Sequence, residues 1–106
     1  MAIFSKTLTV MDFGKGLVPD SDPHKILVEL PPFGDGQRIQ FLVADMNGKT
    51  YNFVCSIRKG ESPSKPTFSK GWIEFARDWK LKAGDAITFY KEADRATGAQ
   101  YKIRVK

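Results

Sequence analysis

The sequence predicts a mainly β domain, closed or nearly closed into a barrel, with one clear short helix. Three observations carry this. Apolar residues alternate with period two on either side of an Asn47-Gly48 dipeptide, several further β-branched and aromatic runs are cut off by Pro or Gly, and only one stretch has helical spacing. With 106 residues, 42% of them hydrophobic and 27% charged, the chain has an ordinary globular balance. It is expected to form a single domain over residues 1–106, with no room for a second.

In chain order, residues 3–9 (IFSKTLT) and 26–30 (ILVEL) read as strands, the latter bounded by Pro23 and by Pro31-Pro32. In residues 38–45, Ile39, Phe41 and Val43 occupy one face. After Asn47-Gly48, Tyr51, Phe53, Cys55 and Ile57 alternate again, so residues 38–57 read as a β-hairpin closed by a type I′ turn. Trp72, Phe75, Ala76 and Trp79 fall at i, i+3, i+4 and i+7 and share one helix face, with Ser69 as the expected N-cap. That spacing assigns both tryptophans to the core rather than to base stacking. Residues 81–85 then read as a turn. Residues 86–91 and 100–105 read as a second hairpin, with 94–98 as its loop and Tyr101, Ile103 and Val105 on one face. Closing such a set of short strands limits exposed edges.

Composition excludes several classes of function. The longest mainly apolar stretch, residues 39–44, is far below the roughly 20 residues of a membrane span, and no signal-peptide pattern opens the chain. A soluble protein is expected. The single cysteine, Cys55, rules out an internal disulfide framework and a cysteine-rich zinc site, and fits a reducing compartment. Seventeen Lys and Arg against twelve Asp and Glu give a net charge of +5. The excess sits in residues 1–15 (+1), 56–70 (+3) and 91–106 (+3), while the remainder is slightly acidic. Either these segments are solvated surface or they form a polyanion-binding face made of loops.

Catalytic chemistry finds little support. The only histidine, His24, lies in an acidic loop flanked by Pro23, and Cys55 sits mid-strand, where a small buried hydrophobe is the simpler role. Asp20 and Asp22 lack the surroundings of a calcium loop, and Gly14-Lys15-Gly16 lacks the spacing of a nucleotide-binding loop. No enzyme activity, cofactor or metal is expected. The stretch from 58 to 66 (RKGESPSKP) has no apolar residue other than proline, so it must lie at the surface. Its Arg58, Lys59, Ser62, Ser64 and Lys65 suit phosphate contact and base-edge hydrogen bonding, although a charged connector would look the same.

Four motifs now occur in order: Phe4-Ser5-Lys6-Thr7-Leu8-Thr9 with Asp12; Asp45-Met46-Asn47-Gly48-Lys49 leading to Tyr51-Asn52-Phe53; Lys70-Gly71-Trp72 with Phe75; and Leu81-Lys82-Ala83-Gly84-Asp85 before Ile87 and Phe89. Together they resemble the plant B3 DNA-binding domain, over nearly the whole chain from Ile3 to about Val105. The resemblance implies a seven-stranded open β-pseudobarrel with one or two short helices. It also implies a nuclear, non-enzymatic transcription-factor module that binds double-stranded DNA through two loops gripping the major groove.

By that resemblance the first loop is residues 9–16, with Thr9, Met11, Asp12 and the cation Lys15, preceded by Lys6. The second is residues 58–66, with Arg58, Lys59, Ser62, Ser64 and Lys65, followed by Lys70. Lys65 falls where auxin-response members carry a base-reading arginine, and Pro63 falls on their proline. A lysine is a point donor, so it would read guanine less strictly than an arginine fork. The first loop has Met11-Asp12 where Ser-Asp is common, and the arginine-rich or Trp-Asn second loops of better-known subfamilies are absent. The short, proline-interrupted segment 18–25 implies a reduced or missing first helix. The chain looks most like a divergent or reproductive-meristem-type member, so target elements are not carried over. The rival reading is a small β-barrel protein-interaction module that has lost sequence-specific DNA binding.

Overall fold

The computed structural model describes residues 2–20, 22–33, 37–57 and 65–106. One sheet of six strands among these residues wraps into an open half-barrel: β1 (Ala2–Thr7), β2 (Arg38–Ala44), β3 (Thr50–Ser56), β4 (Thr67–Phe68), β5 (Ala86–Lys91) and β6 (Tyr101–Val105), in the order β1-β5-β6-β2-β3-β4. The pairings are antiparallel except β2 with β6, which run parallel at Val43 and Tyr101. Among the described residues three short helices accompany the sheet: α1 (Met11–Gly14), α2 (Pro23–Leu27) and α3 (Trp72–Asp78). None is long and apolar enough to cross a membrane.

The two expected hairpins form. Phe41, Val43, Tyr51, Phe53 and Cys55 point inward as the alternation requires, and so do Tyr101 and Ile103. Six aromatic rings, from Phe4, Phe41, Phe53, Phe68, Phe89 and Tyr101, pack against one another in the concavity, with neighbouring centroids 4.9–6.4 Å apart. Offset and tilted contacts at such distances satisfy the ring quadrupoles while burying large apolar areas. Helix α3 lays Trp72, Phe75 and Ala76 on the core and leaves Trp79 partly exposed.

Several local expectations are corrected. Residues 26–30 are not a strand. Pro23 occupies the first helical turn and the Asp22 carboxylate accepts from the His24 amide, so the chain turns into α2, with Ile26 buried and Val28 in solvent. The segment holds a short helix of five residues, so the helix is not missing, and the described residues hold six strands rather than seven. The 45–49 turn is not type I′, because only Gly48 has positive φ (84°). It is a three-residue loop in which the Gly48 amide donates to the Asp45 carbonyl, and the Asp45 carboxylate accepts from the Asn47 and Lys49 amides. The N-cap of α3 is Gly71 rather than Ser69, and no side chain caps that helix; Ser69 contributes only its carbonyl, which accepts from the Ile73 amide. Strand β1 ends at Thr7 rather than Thr9.

Candidate nucleic-acid interface

Both basic loops are tethered at one place in the fold. Leaving β1, the chain runs through residues 9–16, and Leu17 then forms an isolated antiparallel bridge with Phe68 of β4, amide to carbonyl in both directions at 2.8 and 2.9 Å. Residues 58–66 end where β4 begins. The bridge therefore joins the exit of the first loop to the exit of the second, although the two are some fifty residues apart in sequence. Gly16 makes the approach possible. Its φ of +109° is a left-handed value, and a Cβ there would stand 2.9 Å from the Phe68 carbonyl oxygen.

The first loop is a pinned helical turn rather than an open loop. The Asp12 side chain points into the protein, where its carboxylate accepts from Lys6 Nζ at 2.8 Å, from the Thr9 amide at 2.8 Å and from the Thr9 hydroxyl at 3.2 Å. Lys6 shares the inward face of β1 with Phe4 and also donates to the Val18 carbonyl. From the opposite side, buried Trp72 donates its indole N–H to the Asp12 carbonyl at 2.8 Å, and its ring stacks on Phe13 at 6.4 Å. A buried ion pair is tolerated only when further hydrogen bonds fill its remaining valences, and this one is so supported. With Asp12 and Phe13 turned inward, Thr9, Val10, Met11 and Lys15 face solvent.

The candidate residues therefore divide. Thr9, Met11, Lys15, Lys65 and Lys70 have exposed side chains on or beside the two loops. Lys6 and Asp12 are buried together beneath the first loop and are not part of its surface. Arg58, Lys59, Ser62 and Ser64 lie outside the described residues. Lys65 lines a cavity of about 330 Å³ with Val18, Pro19, Asp20, Asp22, Pro23 and Pro66, so it stands beside two carboxylates as well as beside the first loop's exit. Sequence reasoning missed Val10, Phe13 and the Trp72 indole bond. A buried indole N–H must find an acceptor, which signals that a bond exists without naming its partner.

Elsewhere the chemistry is structural. His24 is exposed at the start of α2. Cys55 is fully buried in β3, and burial pushes its thiol up to about 12, far from a nucleophile's range. No cluster of three or more His, Cys, Asp or Glu suited to a metal occurs among the described residues. At the other end of the β2–β3 hairpin, Asp78 at the end of α3 accepts from Tyr51 Oη at 2.8 Å and from Lys49 Nζ. Trp79 Nε1 donates to Asp45 at 3.1 Å.

Comparison with known proteins places this arrangement. Residues 4–106 match the family model described as the B3 DNA binding domain. In sequence the chain is 33% identical over 91 residues to the B3 domain-containing transcription factor NGA4 of Arabidopsis thaliana, covering 84% of this chain and 26% of that protein. It is 34% identical over 92 residues to an Arabidopsis thaliana protein named as auxin response factor 15, covering 83% of this chain and 15% of that one. The chain thus spans only a fraction of these relatives' lengths. In fold it matches the Arabidopsis FUS3–DNA complex with a TM-score of 0.77 and 16% identity, over 100% of this chain and 97% of that one.

Proposed function

The chain belongs to the B3 DNA-binding domain family, a non-enzymatic family of plant transcription-factor modules, and from that premise we propose that it binds the major groove of double-stranded DNA between residues 9–16 and 58–66. The observation that supports this most directly is the Leu17–Phe68 bridge, which sets the ends of the two basic loops side by side. Lys15, Arg58, Lys59, Lys65 and Lys70 would neutralise phosphates. Within that set, Arg58, Lys59 and Lys65, with Ser62 and Ser64, would also approach base edges. Buried Lys6 and Asp12 act from beneath, fixing the first loop so that Thr9, Met11 and Lys15 meet DNA without a large ordering cost. Residues 1–106 act as one such domain, and a nuclear location follows from the function.

A titration of labelled random-sequence duplex at low and moderate salt, followed by NMR shift mapping, tests this reading. Amide shifts should concentrate in residues 9–16 and 56–66. Shifts confined to another face would favour the protein-interaction reading instead. Lys15→Ala should weaken binding to all duplexes alike, whereas Lys65→Ala should relax base preference. Equal losses on preferred and random duplexes from both changes would refute that division of roles.

A further inference from the structure

Among the described residues, Val10 is 75% exposed and Met11 is 56% exposed, and they are the only adjacent pair among the exposed large apolar side chains. The others, Val28, Leu42 and Met46, sit singly just after α2, on β2 and in the 45–49 turn, and isolated cases of that kind need no explanation. The pair is different because its outward direction is fixed. Asp12 is locked to Lys6 and Thr9, and Phe13 stacks on Trp72, so the turn cannot rotate to fold Val10 and Met11 onto the core. Six protein hydrogen bonds at this place hold two apolar side chains in water: Lys6 to Asp12, Lys6 to Val18, two from Thr9 to Asp12, Trp72 to Asp12, and the Asp12 amide to Thr9. Lys15 follows one helical turn later with its side chain in solvent.

We propose that Val10 and Met11 form an apolar tip that reads thymine C5-methyl groups in the major groove. The inference rests on the DNA-binding reading above and adds the chemical group recognised. The major groove offers one apolar feature, the thymine methyl, and apolar side chains discriminate it by contact. A branched Val beside a flexible, polarizable Met suits a contact that must adapt to methyls on either strand. Lys15 on the same turn supplies the phosphate contact that would hold the tip at groove depth.

The test starts from a selection out of a random duplex library with the 106-residue chain. Each thymine of the enriched duplex is then replaced in turn by deoxyuridine, which removes only the methyl group. Binding is measured for the wild-type chain and for the double variant Val10→Ser, Met11→Ser. At one or two positions the wild type should lose roughly fourfold in affinity, the equivalent of one buried methyl, and the double variant should show a ratio of one at those positions. Both side chains are exposed, so a thermal midpoint within a few degrees of wild type is expected and confirms folding. The proposal is overturned if no thymine is methyl-sensitive, if the enriched duplex contains no thymine, or if the double variant keeps the sensitivity. A chain that enriches no duplex and binds none at low salt would overturn the DNA-binding reading itself, a distinct result.

Discussion

A lysine ammonium withdrawn from water must meet an anion, and the anion must then be satisfied on its other side. Lys6 and Asp12 meet both conditions, with Thr9 and Val18 completing the set. Among the described residues, removing Asp12 leaves Lys6 only the exposed Asp20 carboxylate, 3.9 Å away, as a counter-charge, so Asp12→Ala is expected to cost roughly 3 kcal/mol in urea unfolding, the lower end for a broken buried pair. The double variant Lys6→Met, Asp12→Leu should recover part of that loss, because no charge remains buried. It should still bind DNA weakly, because the Thr9 amide has lost its acceptor and the first loop its fixed shape. If single and double variants unfold at the same urea concentration, the ammonium was not stranded and the pair is not what holds the turn. The resemblance sets Lys6 beside the DNA-binding loop, yet its place two positions after Phe4 on a period-two strand marks an inward residue. Nothing comparable marks its partner, six residues on and across a turn.

At the scale of elements, α3 is fastened at both ends, and each fastening yields a prediction. At its start Gly71 has a φ of +86°, and a Cβ there would lie 2.3 Å from the Asn52 carbonyl oxygen and 2.8 Å from the Phe53 Cα. Both obstacles are backbone of β3 and cannot swing aside, so Gly71→Ala should cost about 3 kcal/mol or more by chemical denaturation. A loss below about 1 kcal/mol would mean that helix and strand separate easily. At its end, burial first, and then the bond to Asp78, raises the Tyr51 phenol above its ordinary value of 10.0. Above that pH the unfolded chain releases the proton while the folded one retains it, so stability falls as pH rises. Cys55 adds a decline of the same sign between its ordinary 9.0 and about 12. Tyr51→Phe should therefore lower stability by about 1 kcal/mol at neutral pH and flatten part of the alkaline decline that begins near pH 10, leaving the share of Tyr101, whose phenol burial also raises; an unchanged pH profile would show that the Tyr51 phenol is not coupled to folding. The hairpins and α3 were legible because one periodicity ran uninterrupted through each. Residues 26–30 misled because ILVEL taken alone has strand composition. The Asp22-Pro23 signal that starts a helix lies just upstream, and a local cap outweighed the β propensity of the run behind it.

For the whole molecule, net charge alone does not separate a DNA-binding face from a solvated one, since residues 91–106 carry as much excess charge as residues 56–70. The structure separates part of it. Lys102 pairs with Glu92, and the Arg104 guanidinium lies 5.6 Å from the centre of the Tyr90 ring, so both have partners within the second hairpin. Lys6 is spent beneath the first loop. The cations on or beside the two proposed loops are Lys15, Lys65 and Lys70, with Arg58 and Lys59 from the second loop. Each phosphate neutralised releases its condensed counterions, so five contacts predict that log K falls against log salt with a slope of about −4 to −5. Lys15→Ala should reduce the magnitude of that slope by about one, whereas Lys102→Ala should leave it unchanged. A slope near −8 would mean that the C-terminal hairpin also reaches the duplex, and a flat response would mean that neither loop grips the backbone.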